Sequence, residues 1–291
     1  MEILVCVKRV PMVGGKIVLT GDGQEVDTRM SGFTISPHEE CAVEEAVQIT
    51  ERLGGTVSVL TLGPPEAADQ LRDALALGAG RAVLVETDGR EWGPIATAAA
   101  IVAEVRRRAE AGQGYDLVLC GNEAADTGDY QVGVRVAHAL GWPCVTAIKT
   151  LELTDGASPG EHSATRGTPP DPRGPGTPRG PEGPVTSSHG LGRARAGREY
   201  RGTEESFEFS LPAVVAVKEG INLPRYPSLP GRLRAKRAVI ERHEPAWHEE
   251  GLRKRALRVP AAERKQAEVL GTGADAVPAL IRVLDDWGVL P

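Results

Sequence analysis

Cys120–Pro143, CGNEAADTGDYQVGVRVAHALGWP, is the stretch that decides how this chain folds. It follows an apolar run, Tyr115–Leu119, that reads as a buried strand. It ends in a helical run closed by Gly141 and Pro143. Between them, Ala125–Gly133 is a loop of small and acidic residues leading into a helix N-terminus. Free backbone N–H groups and the positive end of the helix dipole then face the space beyond the strand, an arrangement that suits an anion. Gln131 offers an amide to the same space, and Gly133 lets a ligand approach the backbone closely. The segment also reads as an ordinary strand-to-helix connection with Asp126 and Asp129 as caps. It matches neither GxGxxG nor a Walker loop.

The flanking sequence repeats the same alternation. Glu2–Val7 is a short Ile- and Val-bearing run, the pattern of a buried parallel strand, and Lys8 and Arg9 follow at its C-terminal end. Lys16–Leu19 and Glu25–Val26 flank Gly21-Asp22-Gly23, a hairpin signal. Ser36-Pro37 opens a helix, with Glu39 placed as a capping-box partner, and Gly54-Gly55 closes it. Strands at Thr56–Leu62, Ala82–Glu86, Cys144–Ile148 and Leu211–Val217 alternate with helices at Pro65–Leu77, Ile95–Arg108 and Gln131–Leu140. That order predicts an α/β fold, a doubly wound parallel sheet. Its topological switch point should set the ends of Glu2–Val7 and Tyr115–Cys120 side by side. Lys8, Arg9, the Ser36 loop, the Leu62-Gly63 turn and Ala125–Gly133 should then meet at one crevice.

Two regions depart from the alternation. From Gly156 to Gly190, 16 of 35 residues are Gly or Pro without periodicity. Such a segment buries too little apolar surface to offset ordering, so residues 155–192 are expected to be a disordered insertion. It would sit at the tip of a β-hairpin extension, with Thr150–Leu153 leaving and Arg198–Phe209 returning. Residues 1–237 would form the α/β domain. Residues 238–291 read as an extended C-terminal arm ending in a short amphipathic helix, Ala274–Leu290, suited to docking on a partner subunit.

Composition narrows the classes. A net charge of −6 and 4% aromatics give no nucleic-acid footprint. The cysteines Cys6, Cys41, Cys120 and Cys144 form no CxxC pair, so neither a metal site nor a disulfide framework is expected. No signal peptide and no membrane-length apolar run is legible, which predicts a cytoplasmic protein without membrane insertion. No Ser/His/Asp or Cys/His set stands out, so no catalytic residue is assigned.

Four segments, in order, resemble electron transfer flavoprotein beta subunits. They are Leu4–Val10 (LVCVKRV), Ser36–Val47 (SPHEECAVEEAV), Cys120–Pro143, and Leu211–Arg237 (LPAVVAVKEGINLPRYPSLPGRLRAKR). The last is the most specific, and the likeness spans the chain apart from Gly156–Gly190. The resemblance implies a Rossmann-like sheet of the adenine nucleotide alpha hydrolase-like kind. It also implies an electron-carrying αβ heterodimer rather than an enzyme with its own substrate chemistry. FAD would be held mostly by the alpha subunit. AMP, or a second FAD in bifurcating members, would be held by this chain. Electrons would come from acyl-CoA or other flavin dehydrogenases, as in fatty acid β-oxidation, and pass to a quinone oxidoreductase or another acceptor.

On the same resemblance, Cys6, Leu62, Gly121, Asp126, Tyr130, Gln131, Val132 and Gly133 fall at nucleotide-lining positions, with Lys8 and Ser36 near them. Leu229 matches a leucine that inserts into the dehydrogenase, and Arg234, Lys236 and Arg237 match the adjoining basic run. Ser36, His38 and Glu39 stand where the family has Asn, Phe and Asp. Val132 replaces a hydrogen-bonding Thr of AMP-binding members, and bifurcating members often read Gln-Val-Gly here, as this chain does. A stand-alone adenine-nucleotide regulatory module is the competing reading, but it would not need Asn222–Arg237 and the arm. An ATP-using ligase or hydrolase would need a phosphate-gripping glycine motif that Lys8–Val13 lacks.

Overall fold

The computed structural model describes residues 1–12, 17–29, 31–88, 92–154, 192–248, 251, 254–260 and 268–289. The expected insertion at 155–192 therefore lies almost wholly outside the described residues. In chain order the strands are β1 (Glu2–Cys6), β2 (Val10–Pro11), β3 (Phe33–Thr34), β4 (Thr56–Gly63), β5 (Arg81–Glu86), β6 (Leu117–Gly121), β7 (Cys144–Ile148), β8 (Thr150–Thr154), β9 (Arg193–Tyr200), β10 (Thr203–Ser210), β11 (Ala213–Val217) and β12 (Glu241–His243). The helices are α1 (Pro37–Leu53), α2 (Ala68–Leu77), α3 (Pro94–Glu110), α4 (Val132–Leu140), α5 (Leu229–Arg237) and α6 (Val277–Asp286).

Seven strands form one parallel sheet in the order β12-β5-β4-β1-β6-β11-β7. The chain winds outward from β1 through β4 to β5, then returns to the other side of β1 with β6. That reversal is the expected switch point: Cys6 is in register with Leu60 on one side and Cys120 on the other. Alternate residues of β1 feed the two faces. Ile3 and Val5 enter the core under α1 and α2, whereas Leu4 and Cys6 enter the core under α3 and α4. Ile3, Leu4 and Val5 are fully buried, which is why the strand reads as a continuous apolar run.

The extension differs from the expected hairpin. Thr150–Thr154 pairs antiparallel with Arg193–Tyr200, which pairs in turn with Thr203–Ser210. Arg198–Phe209 is therefore not one returning strand. It turns at Arg201-Gly202, both at positive φ, a conformation Gly adopts without cost. The hairpin at residues 17–27 forms as expected, with Leu19 bridged to Val26 and the Thr20 N–H donating to the Glu25 carbonyl at 2.9 Å; Lys16 is outside the described residues.

The tail begins by completing the sheet. Glu241–His243 adds to β5 as a parallel edge strand, fastened by Arg242 to Glu86 (2.6 Å) and by Arg107 to Glu241 (3.4 Å). Farther on, α6 leaves Val277, Leu280 and Ile281 about half exposed and the adjoining Trp287 more so. Among the described residues no helix is long and apolar enough to cross a membrane.

Between β11 and α5 the chain crosses α1 and is pinned there. Arg225 donates to the buried Glu44 (2.9 Å) and to Glu51 (2.6 Å), while Asn222 donates to the Cys41 carbonyl and to Glu45. Burial pushes the Glu44 carboxyl up, but hydrogen bonds from Arg225 and Gln48 outweigh it and hold it below its ordinary value. The Ser228 hydroxyl then caps α5 by accepting from the Gly231 N–H at 3.1 Å. A Cβ on Gly231 would stand 2.6 Å from the Ala76 carbonyl oxygen at the end of α2. Gly231→Ala should therefore lower stability by about 1–3 kcal/mol through overpacking, measured as an earlier midpoint in urea unfolding.

Candidate functional site: a cleft at the strand ends

A cleft of about 1280 Å³ opens beyond the C-terminal ends of β1, β4 and β6, where open α/β sheets take their ligands. Eight of the ten residues expected at a nucleotide line it: Cys6, Lys8, Leu62, Gly121, Tyr130, Gln131, Val132 and Gly133. The other two sit differently. Asp126 pairs with Lys8 from outside, Oδ1 to Nζ at 2.7 Å. Ser36 is buried at the N-cap of α1 and not on the cleft wall. Arg9 leaves the crevice altogether and stacks over the Phe33 ring at 3.1 Å, a cation–π contact that takes its charge away from the strand ends.

The loop from β6 to α4 is shaped by backbone as much as by side chains. Gly128 and Tyr130 both take positive φ, +58° and +55°. Tyr130 is thereby set at the rim, 56% exposed, with its hydroxyl hydrogen-bonded to Glu123, a contact that raises its pKa. Gln131 is the N-cap of α4, and its Oε1 accepts from Arg135 at 2.8 and 3.1 Å. The carboxamide nitrogen is the end of that side chain left to donate into the cleft. At Gly133 the nearest protein atoms to a would-be Cβ are those of Cys120, at 3.8 Å. A Cβ there would make only ordinary van der Waals contact with Cys120.

Glu39 does something the sequence pattern did not suggest. The Ser36 hydroxyl makes no cap bond to α1, so only the Glu39 half of the expected capping box, towards the Ser36 backbone N–H, is formed. The Glu39 carboxylate turns to the end of β1 and accepts the Lys8 N–H at 2.8 Å. Gly121 makes room for it: a Cβ there would lie 2.7 Å from Glu39 Cγ. Burial pushes the Glu39 carboxyl up to about 8, against the opposing hydrogen bonds and charge of Lys8 and Ser36. Beneath it lie Cys6 and Cys120. The Cys6 thiol is raised by its hydrogen bond with Cys120 and by burial, whereas desolvation and the neighbouring Cys120 push the exposed Cys144 up to about 11. A buried thiol held protonated as Cys6 is serves as a packing group rather than a nucleophile. No group of three metal-ligating side chains occurs among the described residues.

Some lining residues carried no motif. Trp92, Thr87, Trp247 and Lys254 all face the cleft. The only sequence signal at Trp92 is a rare aromatic ahead of the Gly93-Pro94 helix start; Trp247 and Lys254 come from the polar arm.

The expected partner residues lie elsewhere. Leu223, Tyr226, Leu229 and Leu233 are exposed by 89%, 96%, 72% and 51%, an apolar patch carried on the pinned loop and α5. Arg234, Lys236 and Arg237 are exposed beside it. Gly231 meets the last turn of α2, which runs back against the strands, so Leu229 and Leu233 stand at the opposite end of the sheet from the cleft, whereas Leu223, beside the Asn222 bonded to Cys41, lies nearer the start of α1.

Comparison with known proteins converges on one group. The family model described as the electron transfer flavoprotein domain matches residues 26–167. The chain is 33% identical over 245 residues to electron transfer flavoprotein subunit beta of Bacillus subtilis, covering 84% of this chain and 79% of that protein. It is 32% identical over 243 residues to the subunit beta of Syntrophomonas wolfei, covering 82% and 78%. The mitochondrial subunit beta of Oryza sativa is 31% identical over 246 residues, covering 84% and 82%.

The titration of Glu39 yields a stability prediction. Between the ordinary carboxyl value and about 8, the native chain holds a proton that the unfolded chain has lost. Stability should therefore fall as pH rises through that window, by on the order of 3–5 kcal/mol, and level off above it. Glu39→Gln should remove this slope. Its melting temperature should match the wild type near pH 5 and exceed it at pH 9.

Proposed function

The chain belongs to the electron transfer flavoprotein beta-subunit family, and on that premise we propose how it serves an electron carrier. It pairs with an alpha subunit, supports FAD bound mainly by that partner, and holds AMP in the cleft at the end of β1 and β6. It carries electrons from acyl-CoA or other flavin dehydrogenases towards a quinone oxidoreductase or another acceptor, in the cytoplasm and without substrate chemistry of its own. The observation that carries the nucleotide assignment is the convergence of eight expected residues on one cleft.

The residues present suit an adenine mononucleotide. The N-terminus of α4 presents backbone N–H groups and the dipole's positive end to a phosphate. Gly133 leaves the backbone open to it, and the Gln131 amide can donate beside it. Lys8, exposed and paired only at the surface with Asp126, can turn its charge to the same anion at little cost, since such pairs contribute about 0–1 kcal/mol. Glu39, neutral below about pH 8, then adds no repelling charge. FAD, when bound, supplies the carrier chemistry; these side chains bind, orient and exclude water. Val132 has no hydroxyl to donate, and that one feature favours a second FAD over AMP.

The patch at the far end suits the dehydrogenase. Leu229 is an apolar anchor held out at the first position of α5, and Arg234, Lys236 and Arg237 steer encounter with an acidic surface. The α6 helix and the distal arm dock on the alpha subunit. Co-expression with the alpha subunit should yield a yellow heterodimer releasing one FAD and one AMP on denaturation; two FAD would establish the second-flavin form, and no adenine nucleotide beyond one FAD would refute the cleft assignment. Leu229→Ala should slow reduction by the dehydrogenase about tenfold or more at unchanged flavin content, and loss of flavin instead would count against the anchor role.

A further inference from the structure

The cleft has a wall that no motif announced. Because β12 runs parallel to β5, the chain leaving His243 emerges at the rim where the cleft opens. Four residues later Trp247 lines that cleft, followed by Gly251 and Lys254. The strap is then tied down across the mouth to the tip of the hairpin at residues 17–27. The Leu257 N–H donates to the Gly23 carbonyl at 2.8 Å, the Gln24 amide donates to the Arg255 carbonyl at 3.0 Å, and Lys254 pairs with Glu25 at 3.0 Å. Glu25 lines the cleft as well. Strap and hairpin thus meet over the opening, anchored on one side by a sheet strand and on the other by a turn.

What the strap brings there is an aromatic ring. The chain has four Trp, four Tyr and three Phe. Three of these, Trp92, Tyr130 and Trp247, line this one cleft. Trp92 enters from the start of α3, Tyr130 from the loop before α4, and Trp247 from the strap, so the aromatic surfaces come from separate sides. Trp247 lines the cleft and is 41% exposed. Flat apolar faces around a cavity match a planar heteroaromatic ring, and stacking is the interaction such faces provide whatever the base's edges.

We propose that the described strap residues, 244–248, 251 and 254–257, form the outer wall of the nucleotide site and that Trp247 packs against the bound adenine mononucleotide, so that retention of the nucleotide depends on the C-terminal arm. This rests on the assignment of the cleft to a nucleotide and adds to it a binding residue and a clasp. The clasp is the pair Glu25–Lys254 with the two hydrogen bonds beside it.

The test uses the heterodimer with its alpha subunit, loaded with AMP, and follows AMP remaining bound over time after gel filtration, with FAD counted in the same sample. Trp247→Ala should speed AMP loss about tenfold, with FAD per heterodimer unchanged, and Trp247→Phe should restore most of the retention. Glu25→Lys alone should also speed AMP loss, and Glu25→Lys with Lys254→Glu should slow it again. AMP retained at the wild-type rate by both Trp247→Ala and Glu25→Lys would overturn the strap's role while leaving the cleft assignment intact. A wild-type heterodimer that holds FAD but never retains AMP would overturn the assignment itself, and the strap proposal with it.

Discussion

The central strand is held by a neighbour on each side in strict register, and the rest of the molecule follows from that pairing. Ile3 to Cys6 lies fully inside the sheet, flanked by β4 and β6. In a parallel sheet each such neighbour must be reached by a crossover, and here one crossover leads away to each side. The connections leaving the C-terminal ends of β1 and β6 therefore diverge, and the gap between them is the cleft. A single-residue slip of β6 against β1 would turn Leu117 and Leu119 to the wrong face of the sheet and take Cys120 and Gly121 out of the cavity floor.

The cleft and the exposed leucines beyond α1 are stiffened by different means. At the cleft, glycine and buried carboxyl chemistry set the walls: Gly121 admits Glu39, and Glu39 ties the end of β1 to α1 through the Lys8 N–H. At the far end, the loop leading to Leu229 is held by an arginine fork on Glu44 and Glu51. Removing Arg225 would strand the buried Glu44 carboxylate, so the fork and the exposed leucines act as one unit. Leu229 is thereby presented on backbone already ordered, so that binding there, as proposed above, would not have to pay for ordering it.

Sequence periodicity made the sheet and the cleft legible because they rest on burial. Continuous apolar runs marked β1, β4, β5, β6 and β11, and Gly or Pro punctuation marked the helix ends. What escaped notice rests on pairing without burial. Glu241-Arg242-His243 carries no apolar residue, yet it completes the sheet by matching its charges to Glu86 and Arg107. Arg198–Phe209 alternates smoothly through a turn that only Arg201-Gly202 interrupts. Ser36 and Glu39 fit a capping box in spacing, but spacing cannot register that an unpaired Lys8 N–H stands within reach. Arg9 and Lys8 are adjacent cations in sequence; which one stays at the cleft depends on Phe33, a residue far along the chain.

The edge strand drawn from the tail imposes an order on biosynthesis. While the ribosome is still adding residues beyond Arg237, the outer edge of β5 carries unpaired N–H and C=O groups along a buried, Val-rich strand. Such an edge is a template for pairing with the wrong chain. The nascent protein stays open to that error until His243 clears the exit tunnel, so a translational pause in this interval would raise the yield of misassembled chains more than a pause of equal length elsewhere.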